Sequence, residues 1–143
     1  MIEDDTNIQY CIKFDGCSRG NPGLSGAGAI IYCNNVEIWS GSKYIGNKIT
    51  NNYAEYEGLI LGLQQALEMK IKDIIVQGDS QLVINQMEGK YKCNSPNLIE
   101  LYKKAKEFES KFNNIKYEHI YRKENTRADY LSNIAVDEYL KKK

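Results

Sequence analysis

The chain has 143 residues, 42% hydrophobic and 27% charged, with 19 basic and 19 acidic side chains that cancel. This is the composition of one soluble globular domain, residues 1–143, and it excludes a disordered chain. No apolar run approaches the roughly 18 residues of a membrane span, and the acidic start MIEDDTN lacks the apolar stretch of a signal peptide.

From Gln9 to Asp15 the residues split by parity, Tyr10, Ile12 and Phe14 on one face and Gln9, Cys11, Lys13 and Asp15 on the other. That alternation predicts a central strand ending at Asp15. Ser18 to Gly23 follows as a loop of turn-forming residues. Gly26 to Cys33 reads as a strand with close-packed glycines, Asn34-Asn35 as a hairpin turn, and Val36 to Tyr44 as the returning strand. Gly46 to Asn51 is a polar connection. Asn52 to Met69 has the clearest helical period, with Leu59, Ile60, Leu63, Ala66 and Leu67 on one apolar face. Ala54, Gly58 and Gly62 recur every four residues. Each helical glycine costs about 1 kcal/mol, and what is gained is a groove in which the helix can lie close to a strand backbone.

Ile71 to Gln77 predicts a short strand, reached by a helical crossover and therefore parallel to its partner. Ser80 to Glu88 reads as a brief helix and Gly89 to Pro96 as a loop. Asn97 to Phe112 is a lysine-rich amphipathic helix that turns Leu98, Leu101, Tyr102, Ala105 and Phe108 inward. Ile115 to Tyr121 is the last strand. Thr126 to Leu140 is the terminal helix, with Tyr130, Leu131, Ile134, Ala135 and Val136 as its apolar side. The order β-β-β-α-β-α-α-β-α describes an α/β fold with one mixed sheet and helices on its faces. The four cysteines form no CxxC and have no histidine nearby, so zinc is not expected and reduced thiols in the cytoplasm are.

Four carboxylates stand near element ends. Asp15 has the sharpest signal, because aspartate is depleted from strands and one buried alone must pair or take up a proton. Its ordinary alternative is to open the next turn as an Asx residue. Glu55 follows Asn52 at capping-box spacing, Asp129 follows Thr126 at the same spacing, and Asp79 is placed to cap the helix at Ser80. Singly, these three read better as caps than as ligands. Together with Asp15 they can converge on one edge of one sheet, and capping leaves Asp15 unexplained. Carboxylate oxygens with no His or Cys among them select hard divalent cations, Mg²⁺ or Mn²⁺.

The surroundings suit a polyanion rich in hydroxyls. Ser18, Asn21, Thr50, Asn51, Asn52 and Gln81 are uncharged donors and acceptors beside these carboxylates, fit for ribose and phosphate oxygens, although each alone also serves a turn or cap. Residues 1–89 carry 6 basic against 11 acidic side chains, whereas residues 90–127 carry 10 against 5. A basic flank beside an acidic centre is what a metal-dependent phosphate-handling protein needs; uneven helical surfaces give the same asymmetry without function.

FDGCSRGNPG, TNNYAEYEGL, GDSQLV and ENTRAD, in this order, resemble the type 1 ribonuclease H family over about Ile8 to Tyr139. The resemblance implies a ribonuclease H-like sheet of three antiparallel strands followed by two parallel ones, with helices on both faces. It implies that Asp15, Glu55, Asp79 and Asp129 bind two Mg²⁺ ions, Mn²⁺ being possible, and hydrolyse the RNA strand of an RNA–DNA hybrid to 5′-phosphate and 3′-hydroxyl ends. Asp15 is then the expected bridging ligand. Cys17, Ser18, Asn21, Thr50, Asn51, Asn52 and Gln81 are the expected substrate-binding residues, Thr50 in a pocket for a DNA-strand phosphate. The hybrid is the expected partner, with no membrane, no required protein partner and a monomeric state.

Two departures stand out. The segment that holds a flexible histidine in well-studied bacterial members is the short RKEN, leaving Lys123 or Glu124 to occupy that space, and the single His119 falls inside the last strand, where it reads as structural. The basic, Trp-rich protrusion of those members is replaced by GKYKCNSPN, and in this the chain resembles the shorter archaeal-like or retroviral-like branch. Lys90, Lys92, Lys103, Lys104, Lys106 and Lys111 then either take over part of the protrusion's task or only solubilise the helix. The alternative function is a non-catalytic module that binds hybrid or double-stranded RNA on the same fold.

Overall fold

The structure is a computed structural model that describes residues 8–143. The acidic start MIEDDTN, and the expectation drawn from it, lie outside the described residues. Five strands and four helices follow one another: β1 (Tyr10–Arg19), β2 (Gly23–Cys33), β3 (Val36–Ile49), α1 (Asn51–Glu68), β4 (Asp73–Gly78), α2 (Gln81–Met87), α3 (Ile99–Glu109), β5 (Asn114–His119) and α4 (Thr126–Lys141). The strands lie in the order β3-β2-β1-β4-β5. The first three are antiparallel, and β4 and β5 join β1 in parallel, as the crossover requires.

The alternating face of β1 decides where the core forms. Ile12 and Phe14 are fully buried with Leu59, Leu63 and Ala66 of α1 and with Val76 of β4. On the opposite face, Ile30 packs with Ala128 and Leu131 of α4. Helices therefore cover both faces. Two glycines set how closely α1 approaches the sheet. A Cβ on Gly16 would lie 2.2 Å from the Ala54 carbonyl carbon, and one on Gly58 would lie 2.4 Å from the backbone carbonyl oxygen of Asp15. The small-residue groove expected on this helix is thus filled by the β1 backbone.

Several boundaries differ from the sequence expectation. β1 does not end at Asp15; it runs to Arg19, because β2 continues to pair with it through Arg19↔Leu24. What ends near Asp15 is the pairing with β4, whose last partner is Phe14↔Gly78. The turn is confined to 20–22, and β3 absorbs most of the expected polar connection by pairing as far as Gly23↔Ile49. The capping-box expectation at Asn52 fails. Thr50 caps α1, its hydroxyl accepting from the Tyr53 N–H at 3.3 Å, and helix geometry begins at Asn51. Ser80, not Asp79, caps α2 through the Val83 N–H. Thr126 does not cap α4, which begins after Asn125. Tyr130 is exposed and not on the apolar side of α4, since its ring lies beneath the Arg127 guanidinium.

Candidate active site

With the three expected capping roles taken by other residues, the four carboxylates face one cleft of about 430 Å³ at the end of the β1–β4 pairing. Each arrives from a different element. Asp15 comes from β1, where β4 has stopped pairing; Glu55 comes from the second turn of α1; Asp79 directly follows β4; Asp129 lies in the first turn of α4. Asp15, Glu55 and Asp79 each offer an oxygen within 4.8 Å of the others. Asp129 lines the cleft outside that trio.

Burial perturbs the deep pair strongly. Asp15 is 5% and Glu55 3% exposed. The Gly16 N–H serves both, donating to Asp15 Oδ1 at 2.9 Å and to Glu55 Oε1 at 2.8 Å. Burial, followed by the charge of Asp79, pushes the Asp15 carboxyl up to about 7. Burial first, then the charges of Asp15 and Asp79, raises Glu55 well above the usual carboxylate range. One N–H cannot compensate two desolvated anions, so the pair holds protons tightly unless a cation arrives. Three converging carboxylates with no nitrogen or sulfur ligand fit a hard divalent ion.

The expected substrate-binding residues divide into three groups. Cys17, Ser18 and Asn51 line the same cleft as the carboxylates. The Ser18 hydroxyl donates to the Ile49 carbonyl at 2.6 Å, and Cys17 is half-buried with its Sγ 3.5 Å from the Ser132 carbonyl oxygen. Asn21 and Thr50 stand at the entrance of α1. Asn21 Oδ1 accepts from the Asn51 N–H at 2.9 Å, and the Thr50 hydroxyl also accepts from Asn97 Nδ2 at 3.4 Å. Asn52 and Gln81 are exposed in the first turns of α1 and α2.

Several polar residues at the site escaped the sequence reading. Asn133 stands one turn after Asp129, and its Nδ2 donates to that residue's carbonyl at 3.0 Å and carboxylate at 3.3 Å; the i,i+4 spacing was the available signal. Asn125 bridges Asp79 and β1, and Asn97 reaches Thr50. In the RKEN segment it is Arg122 that lines the cleft, rather than Lys123 or Glu124. The Glu124 carboxylate turns back to accept from the Tyr121 N–H at 3.1 Å. His119 ends β5, exposed and edge-on to Tyr121. Among the flank lysines, Lys90 pairs with Glu88 and Lys106 with Glu109, while Lys103 and Lys104 are exposed.

Comparison with known proteins agrees with this geometry. The family model described as reverse transcriptase-like matches residues 13–135. Ribonuclease HI of Halobacterium salinarum is 40% identical over 139 residues, covering 96% of this chain and 69% of that protein. The chain belongs to the type 1 ribonuclease H family. The chain is also 42% identical over 131 residues to the bifunctional protein Rv2228c of Mycobacterium tuberculosis. That match takes in 91% of this chain but spans only 36% of the relative's length. The solved ribonuclease H domain at the N-terminus of that protein superposes with a TM-score of 0.89 at 39% identity, covering 95% of this chain and 99% of that one. LC11-RNase H1, solved in complex with an RNA/DNA hybrid, gives 0.86 at 37% identity over 92% and 99%. These ribonuclease H structures share the five-stranded mixed sheet of three antiparallel and two parallel strands.

Proposed function

We propose that this chain is an endoribonuclease that hydrolyses the RNA strand of RNA–DNA hybrids, leaving 5′-phosphate and 3′-hydroxyl ends. The observation that carries the reading is the convergence of Asp15, Glu55, Asp79 and Asp129, from four separate elements, on one cleft. Two Mg²⁺ ions, replaceable by Mn²⁺, would supply an activated water and stabilise charge on the departing oxygen. Asp15, the most central carboxylate, would be the ligand shared between the ions. Asp79 would serve with Asp15 on the leaving-group side and Asp129 with Asp15 on the water side, while Glu55 would help position the metal that meets the substrate.

The chain's other groups bind and select. Cys17, Ser18 and Asn51 lie where the RNA strand would cross the carboxylates, and Asn21, Asn52 and Gln81 extend that surface. Thr50 at the head of α1 suits a DNA-strand phosphate, because helix N-termini favour anions. Arg122 lines the cleft and offsets its acidity toward a polyanion, whereas Arg19, which also lines it, is paired with Asp137 at 2.8 Å. Selectivity for RNA needs the 2′-hydroxyl, with shape selecting the other strand. The hybrid bound by LC11-RNase H1 supports this substrate class. No helix among the described residues is long and apolar enough to cross a membrane, and we assign the protein to the cytoplasm as a monomer.

Incubation with Mg²⁺ and separately labelled RNA–DNA, RNA–RNA and DNA–DNA duplexes tests the reading. Cleavage of RNA in the hybrid alone is expected. Binding of hybrid without cleavage would replace the enzyme by a binding module, a role in which four converging carboxylates are a handicap.

A further inference from the structure

We propose that Asn125 is a positioning residue that aims the Asp79 carboxylate and fastens it to the start of α4, so that Asp79 and Asp129 are presented as one unit. The inference rests on the reading of Asp79 as a metal ligand given above. Asn125 is 1% exposed and sits between the short 3₁₀ turn Arg122–Glu124 and α4. Its Nδ2 donates to the Phe14 carbonyl at 2.9 Å and to Asp79 Oδ2 at 3.2 Å. Its own carbonyl accepts from the Asp129 N–H at 3.1 Å. One side chain and one carbonyl therefore touch the residue before Asp15, the carboxylate after β4 and the backbone that carries Asp129.

The chemistry fixes which way the amide points. Reversed, it would set Oδ1 against a carbonyl and a carboxylate oxygen, three acceptors with no proton among them. In the observed orientation Oδ1 is buried without a hydrogen-bond partner among the described residues, a cost that an apolar side chain would avoid. The bond to Phe14 serves the fold, and the second Nδ2 bond, to Asp79, is the one that orients a carboxylate. A neutral donor also suits the place. It occupies one oxygen of Asp79 and leaves the other free for an ion, whereas a lysine or arginine would set a positive charge beside the cation. Partners that orient a ligand in this way typically change metal affinity by about 10–100-fold when removed.

The test is the Mg²⁺ dependence of Tm for metal-free wild type, N125A and N125D at neutral pH, repeated on a D79N background. The midpoint of the Mg²⁺ response should rise about tenfold or more in N125A, while N125D, which keeps the side chain's size but sets a carboxylate against Asp79, should lower the metal-free Tm and regain more of it with Mg²⁺ than N125A does. On the D79N background N125A should lower Tm yet leave the midpoint nearly unmoved, because the ligand it aims is already gone. A wild-type response with an unshifted N125A midpoint overturns this proposal alone. Loss of the folded state in both Asn125 variants also overturns it, since the residue then holds the fold rather than a ligand. A wild type whose Tm ignores Mg²⁺ overturns the metal reading and this proposal with it.

Discussion

The inner and outer halves of the acidic cleft hold their carboxylates by different means. Asp15 and Glu55 are buried where α1 lies against β1, with one backbone N–H between them. Asp79 and Asp129 are half-buried and are held by the side-chain amides of Asn125 and Asn133. Burial fixes the inner pair in place but loads it with repulsion that only protons or a cation relieve. The outer pair keeps contact with water and is oriented by neutral donors. A site built this way has a rigid, electrostatically strained floor and an adjustable rim.

The inner half should dominate activity. D15N should lower hydrolysis of hybrid by about a thousandfold, or about 4 kcal/mol, while hybrid binding stays measurable by fluorescence anisotropy. Full activity in that variant would break the account. Packing should matter next. G16A forces a methyl into the α1 backbone, and a loss of about 3 kcal/mol, on the order of 10 °C in Tm, is expected by calorimetry.

The pH dependence probes the inner half further. Asp15 titrates higher in the folded protein than in the unfolded chain, moving from 3.8 to about 7. Its contribution is therefore fully present below the unfolded value and is lost as pH climbs through the folded one. The Tm of metal-free protein should carry a downward component from about pH 4 to about pH 7, which Glu55 extends upward. Subtracting the D15N curve from the wild-type curve isolates the Asp15 part; a difference that rises with pH would contradict the strained floor. The smallest effect belongs at the rim of the substrate surface. T50A removes the α1 cap, costing about 1 kcal/mol, and should raise KM for hybrid severalfold with kcat little changed.

The same division explains what the sequence made legible. Asp15 was visible because a carboxylate in an alternating apolar strand has few structural uses. The Ala54-Gly58-Gly62 spacing foretold the close contact with β1, since glycine in a helix demands a packing reason. The true extent of β1 and β3 was hidden, because strand length beyond the apolar run is set by pairing with β2 and not by local composition. Three of the four carboxylates looked like caps, and it took neighbouring Thr50, Ser80 and Asn125 filling those positions to free them. Asn125 and Asn97 left no local pattern, because their partners lie far away in the chain. Arg122 rather than Lys123 reaches the cleft because the 3₁₀ turn sets the direction of each side chain in a segment of uniform polarity.

The strained floor is tested most directly by adding Mg²⁺ to metal-free wild type and D15N at neutral pH and following Tm. Wild type should melt lower than D15N without the ion and rise steadily as Mg²⁺ is added, while D15N responds little. A metal-free D15N that melts several degrees below wild type, or a wild type indifferent to Mg²⁺, would make Asp15 a structural hydrogen-bonding residue and contradict the account.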